Sequence, residues 1–160
     1  MPKQTKTNAV RLLEKAGIAY STHEYHFAEN GLAAPHGAEE LGEDIARVFK
    51  TLVLRGERTG LFVCVVPGDK EVDLKKAAHA AGDKKADLIA MKELLPLTGY
   101  IRGGCSPIGM KKPLPTFFHS TATDFDTIFV SAGMRGLQVE IAPQALIDFV
   151  GASTADLIKD

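Results

Sequence analysis

The chain has 160 residues, 45% of them hydrophobic and 24% charged, which is apolar material enough for one well-packed domain of ordinary globular composition. Lys and Arg number 19 against 20 Asp and Glu, a formal net charge of −1, which excludes a protein that grips nucleic acid through a broad basic face. Any nucleic-acid partner would have to be held locally or with help from a second protein. No apolar run approaches the ~20 residues of a spanning helix, and the polar start Met1-Pro2-Lys3-Gln4-Thr5-Lys6 lacks the apolar stretch of a signal peptide. Cys64 and Cys105 offer no disulfide framework, so a reducing cytoplasm is the expected location.

Val10, Leu13 and Ala16 recur at helical spacing and predict a helix over 7–16, ended by Gly17. Residues 18–27 are strand-like through Tyr20, Thr22, Tyr25 and Phe27, and 28–37 read as a loop. Short helical turns over 38–41 and 44–48 lead into two apolar runs, 49–55 and 61–66. Gly56-Glu57-Arg58-Thr59-Gly60 between them predicts a hairpin. The second run has no polar residue, so both its faces should be buried. Asp73 is placed to cap a helix carrying Leu74, Ala77, Ala78 and Ala81, closed by Gly82. A further helix is expected over 87–95, stopped by Pro96. Residues 116–119 and 127–131 read as strands, and the strict alternation of 137–141 predicts a half-buried one. Pro143 opens a helix with Leu146, Ile147 and Val150, and Ser153-Thr154-Ala155-Asp156 resembles a capping box for a last turn. With no internal repeat or linker, 1–160 reads as one mixed α/β domain of α+β type. Its sheet is one that can curl into a barrel, and the absence of regular β–α alternation argues against a doubly wound parallel sheet.

Four glycines and three prolines within Gly99–Pro115, interleaved with Tyr100, Ile101, Ile108, Met110 and Leu114, form an apolar glycine-rich loop. Such a loop either brings backbone N–H groups to a ligand or packs as a tight crossover. It lacks the G-K-[ST] ending of a P-loop and the G-x-G-x-x-G of a dinucleotide site. Cys105 lies inside it as a candidate nucleophile, with no histidine nearby in sequence; a small residue filling a gap is the competing explanation. His23-Glu24-Tyr25-His26 is one residue short of H-E-x-x-H, and a strand would put its imidazoles on opposite faces, so no metal site is expected. His36, His79 and His119 are scattered. Lys50 is more informative: between Phe49 and Leu52 at a strand start, a lysine either points off the sheet edge or meets an anion. Thr51 adds a hydroxyl beside it. Ser131-Ala132-Gly133-Met134-Arg135-Gly136 is a strand ending in a Ser/Gly turn, which turn formation alone would explain.

Taken together, Val48-Phe49-Lys50-Thr51, the stretch Gly99 to Gly109 with Lys111-Lys112, and Val130 to Leu137 resemble the YbaK/EbsC family. More narrowly they resemble its YbaK-type Cys-tRNA(Pro) deacylases, relatives of the editing domain of bacterial prolyl-tRNA synthetases. The resemblance runs almost end to end. It implies a mixed β-barrel flanked by helices, a pocket for the 3′ end of mischarged tRNA, and removal of cysteine from Cys-tRNA(Pro), extending to Cys-tRNA(Cys). It places the family's essential lysine on Lys50, its G-x-x-x-P loop on Gly103 to Pro107, its pocket serine on Ser131 and an early-strand tyrosine on Tyr25. The catalytic set so implied is Lys50, Gly103 and Ser131, with Tyr25, Thr51, Gly104 and Pro107 binding substrate and neither cofactor nor metal. Gln138 departs from the pattern, since the family often has aspartate after R-G-L, and Cys105 falls on a variable position. A cysteinyl ester suits such a site: the substrate's thiol, of pKa ~8.5, can attack its own carbonyl and leave as a cyclic thioester. Transient docking to prolyl-tRNA synthetase is also implied. A non-catalytic module that grips a tRNA end, and a hydrolase using the Cys105 thiol, are the competing readings.

Overall fold

The computed structural model describes residues 6–25 and 45–160. The early helix α1 (Asn8–Ala16) starts where the Thr7 hydroxyl accepts from the Val10 N–H at 3.2 Å. It ends at Gly17, whose φ of 72° returns its N–H to the Glu14 and Leu13 carbonyls. Its buried face is Ala9, Val10 and Leu13; Val10 and Leu13 are two of the residues whose spacing announced it, while the third, Ala16, is exposed. The Thr7 hydroxyl also donates to the Ala132 carbonyl, which anchors the helix to the small sheet described next.

That sheet orders β1 (Tyr20–Glu24), β7 (Leu137–Ile141) and β6 (Ile128–Met134), antiparallel throughout. The larger sheet runs β4 (Ala86–Leu88), β2 (Phe49–Gly56), β3 (Gly60–Pro67), β5 (Thr116–His119) and β8 (Ser153–Ala155). Its β2–β3 pair is the expected hairpin, while β5 and β8 are added in parallel. The main core lies between the sheets: Phe49, Val53, Val63 and Val65 face Ile128, Val130, Val139 and Ile141. α1 and α4 (Pro143–Val150) close it with Leu13 and Leu146. A second cluster fills the other side of the large sheet, where Phe62, Cys64 and Val66 meet Ala77 and Ala78 of α2 (Leu74–Ala80) and Leu157. Alternate residues of β3 thus feed two cores, the reason it carries no polar side chain.

Five expectations are corrected. The helix over 87–95 divides: Ala86–Leu88 pairs with Leu54–Gly56 as β4, and the helix α3 (Met91–Thr98) begins only after Glu93 reaches back to the Ala90 N–H at 2.9 Å. Pro96 lies inside α3 and does not stop it; the chain turns out at Gly99, φ 84°. Its exposed ring forfeits one backbone hydrogen bond near the end of a short helix, and the Thr98 hydroxyl adds a bond to the Leu94 carbonyl at 2.7 Å. Ser153–Ala155 is an edge strand rather than a helical turn, because Phe117–His119 supplies a ladder for it. β7 is more than half buried: Leu137, Gln138, Val139 and Ile141 are all covered, since neighbours flank it on both sides. Finally, the strands do not close into a barrel among the described residues; the sheets meet at a single Val48–Phe129 bridge. The expected strand beyond Tyr25, the 28–37 loop and the 38–41 turn lie outside the described residues, as do His26 and His36. No helix among those described is long and apolar enough to cross a membrane.

Candidate functional site

The site follows from how β2 is paired. The Gly68 N–H donates to the Val48 carbonyl at 2.6 Å, which sets the phase of the β2–β3 ladder so that Lys50 and Leu52 exchange bonds with Val66 and Cys64. Phe49, Thr51 and Val53 therefore turn their peptide groups away from β3. On that side β4 pairs only from Leu54 onward, and the Ile89 N–H meets the Val53 carbonyl at 3.2 Å. Between that bond and the Val48–Phe129 bridge, the edge of β2 at Thr51 opens onto a cavity of about 570 Å³. A void of this size suits a small organic ligand rather than a few waters.

Five of the seven site residues expected from sequence line this cavity: Tyr25, Lys50, Thr51, Gly103 and Ser131. Lys50 is half-buried, and its Nζ reaches the Gly68 carbonyl at 3.4 Å. No carboxylate lies within ion-pairing distance of it among the described residues. Loss of water pushes its pKa below the ordinary 10.5, partly offset by the more distant Glu71 and Asp69. Strand alternation gives Lys50 the opposite face to Thr51, and it also borders a neighbouring hollow of about 630 Å³ shared with Lys75 and Lys159. Thr51 is buried, and its Oγ1 has no hydrogen-bond partner among the described residues. Ser131 Oγ accepts from the Gly133 N–H at 3.1 Å, leaving its own proton to give. Tyr25 is held by a bond from its N–H to the Gly136 carbonyl at 2.9 Å, and burial pushes its phenol upward.

The glycine loop divides into parts that face the cavity and parts that hold the loop. Gly103 sits at φ 85°, and its N–H has no partner among the described residues. Gly104 and Pro107 do not line the cavity, contrary to their expected binding role. The Gly104 N–H closes a turn onto the Ile101 carbonyl at 2.9 Å. A Cβ on Gly104 would come within 3.1 Å of the Met134 backbone, so this glycine lets the loop lie against the β6–β7 turn. Pro107 is buried beside the fully buried Ser106, whose Oγ accepts from the Ile108 N–H at 3.2 Å. Tyr100 donates its hydroxyl to the Ile108 carbonyl and packs against Gly133, pinning both ends. Cys105 does line the cavity, but burial drives its thiol up to about 12. It is therefore protonated at neutral pH and has little nucleophilic character.

Elsewhere two of the described histidines have structural partners. His23 meets Glu140 at 3.0 Å, a carboxylate that also takes Arg47 and Thr127. Buried His119 accepts at Nδ1 from the Leu157 N–H at 3.1 Å, and burial lowers its pKa below the ordinary value. No group of three metal-ligating side chains occurs among the described residues.

Residues 28–149 match the family described as the aminoacyl-tRNA editing domain. The chain belongs to that family. A protein of Enterococcus faecalis (strain ATCC 700802 / V583), EbsC, whose name proposes a Cys-tRNA(Pro)/Cys-tRNA(Cys) deacylase, is 47% identical over 96% of this chain and 94% of its own length. The proline–tRNA ligase of Thermosipho africanus (strain TCF52B) is 31% identical over 62% of this chain, which is 18% of the ligase. A crystal structure described as a proposed trans-editing enzyme for prolyl tRNA synthetase aligns at TM-score 0.82 with 25% identity, covering 98% of this chain and 100% of that one.

Two further residues of this editing domain face the cavity without having been singled out as site residues by sequence. Arg102 lies at its rim; the Arg102 carbonyl takes Arg135 Nε at 2.8 Å, while its own guanidinium has no partner among the described residues. Its place just before Gly103-Gly104 was the available signal. Gln138, noticed only as a departure, lines the cavity with its Oε1 buried and without a partner among the described residues. Leu88 and Met91 form an apolar lip, 51% and 60% exposed.

Proposed function

We propose that the protein is a trans-editing deacylase that removes cysteine from mischarged Cys-tRNA(Pro), and from Cys-tRNA(Cys), by substrate-thiol-assisted cleavage of the aminoacyl ester. The observation that carries this reading is the meeting on one cavity of a lysine ammonium with no carboxylate partner and a glycine N–H with no acceptor among the described residues. Membership of the editing-domain family and 47% identity to EbsC support it. The ester is already reactive, so orientation and stabilisation of developing charge suffice. The Gly103 N–H steadies the carbonyl oxygen as it gains charge. Lys50, with Arg102 at the rim, meets the terminal phosphate or ribose, and Ser131 positions the ester. The cysteinyl sulfur attacks its own carbonyl carbon: a C–S bond forms, the ester C–O bond breaks, and the thiol proton ends on the departing ribose oxygen. The product is a four-membered cyclic thioester, which makes the reaction lyase-like rather than a direct hydrolysis. The Cys105 thiol, held at about 12, is no part of it.

The substrate side of the reading extends to the whole complex: the acceptor end enters the cavity while prolyl-tRNA synthetase docks transiently in the cytoplasm. Assaying purified protein against Cys-, Ala-, Ser- and Pro-tRNA, with and without the synthetase, tests it. Cys-tRNA should be cleaved rapidly and Ser-tRNA spared, because a serine ester fits yet lacks sulfur. Equal rates on both would end the sulfur-assisted mechanism, and binding with no turnover on any would leave a tRNA-end-binding module.

A further inference from the structure

Of the buried polar side-chain atoms with no partner among the described residues, two sit on the wall of this one cavity: Thr51 Oγ1 and Gln138 Oε1. Burying a carbonyl oxygen without a hydrogen bond costs free energy in the unliganded protein, so such an atom is expected where a ligand completes it. Gln138 is 4% exposed, and it stands directly across the β6–β7 ladder from Ser131, with both side chains on one face of the small sheet. Whatever satisfies Gln138 therefore lies next to the group that meets Ser131.

We propose that Gln138 is a specificity residue whose amide oxygen accepts an N–H from the α-ammonium of the aminoacyl ester. The proposal rests on the deacylase reading, which puts the ester beside Ser131 and Gly103. Next to an aminoacyl ester carbon, the α-ammonium is the group with most to lose on entering a dry cavity. It brings three N–H donors, and each one left unpaired raises the cost of binding. The cations of the site, Lys50 and Arg102, suit the opposite, phosphate-bearing end of the substrate. A neutral amide accepts from the ammonium and from the free amine alike, so recognition does not depend on the substrate's protonation state. A carboxylate at this position would favour the ammonium alone.

The test compares tRNA(Pro) charged with cysteine and with 3-mercaptopropionate, which keeps the ester, the thiol and the ribose hydroxyl and lacks only the α-amine. Wild-type protein should cleave the deaminated ester at least tenfold more slowly. In Gln138→Met the two rates should converge to within about threefold, with the cysteinyl rate falling to the other. Gln138→Glu, which keeps an acceptor and cannot donate when ionised, should retain the preference. Equal wild-type rates on the two esters overturn the proposal without any variant, as does an unchanged preference in a folded Gln138→Met. Loss of the preference in Gln138→Glu overturns it too, since the amide would then be acting as a donor. Failure of the wild type to cleave Cys-tRNA overturns the deacylase reading itself, and the occupant assigned to Gln138 with it.

Discussion

Replacing Lys50 by methionine removes an ammonium that has lost part of its hydration and, among the described residues, has no carboxylate at ion-pairing distance, only the more distant Glu71 and Asp69. Its pKa is depressed in the folded state, so the unfolded chain holds the proton more tightly. Folding stability is reduced at every pH below the folded value and recovers as pH climbs through the window up to 10.5. Lys50→Met should therefore raise the melting temperature at pH 7 while abolishing deacylation. Solvent screens half the side chain, so the gain stays below about 1 kcal/mol, or roughly 2 °C by calorimetry. The same depression gives the pH–rate profile its alkaline limb: kcat/KM should climb as the substrate thiol, pKa ~8.5, ionises, then fall as Lys50 loses its proton below 10.5. Cys105→Ala should keep nearly full activity, within about threefold; a thousandfold loss would restore the thiol as nucleophile.

Two elements hold the cavity walls in place. The β2–β3 turn is fastened from outside by Asp83, just past α2, whose carboxylate accepts the Arg58 and Thr59 N–H groups at 2.8 Å each and the Thr59 hydroxyl at 2.9 Å. These donors hold its pKa well below the ordinary 3.8. The stabilisation is present in full above that ordinary value and disappears as pH falls through the depressed one. Asp83→Asn should lower the melting temperature at pH 7 and flatten its decline below pH 4 in calorimetric scans. The glycine loop is the other element. Gly104→Ala sets a methyl 3.1 Å from the Met134 backbone, a contact that pushes the loop off the β6–β7 turn and, on the proposed mechanism, carries the Gly103 N–H away from the ester. We expect a loss of at least tenfold in kcat with a smaller change in KM.

At the scale of the whole molecule, a net charge of −1 limits how the protein meets tRNA. With Lys50 and Arg102 as the cavity's cations without acid partners among the described residues, about two phosphates are neutralised. The logarithm of affinity for single-stranded acceptor ends should then fall by only about 1.4 per tenfold rise in salt. Titration over 50–500 mM salt measures it, and a slope several times steeper would reveal a basic surface beyond the cavity. The proposed docking to prolyl-tRNA synthetase would supplement so light a grip, and adding the synthetase to the assay should then lower KM.

Local chemistry alone specified α1, the β2–β3 hairpin, the buried β3 and the Pro143 start of α4. Each depends on residues within one turn or one ladder: a cap, a period, a glycine beyond the last turn. The pairing of Lys50, Gly103 and Ser131 was legible through three motifs in order, although nothing in their spacing says they meet. Long-range packing decided the rest. Residues 86–88 became a strand because the end of β2 needed a partner, and 153–155 because β5 offered its edge. Gly104 left the site for the same reason, since the β6–β7 turn lies where its side chain would be. The orphaned Gln138 oxygen could not be read from sequence at all: a polar side chain lacks a partner only when every neighbour's position is known, and those neighbours come from across the fold.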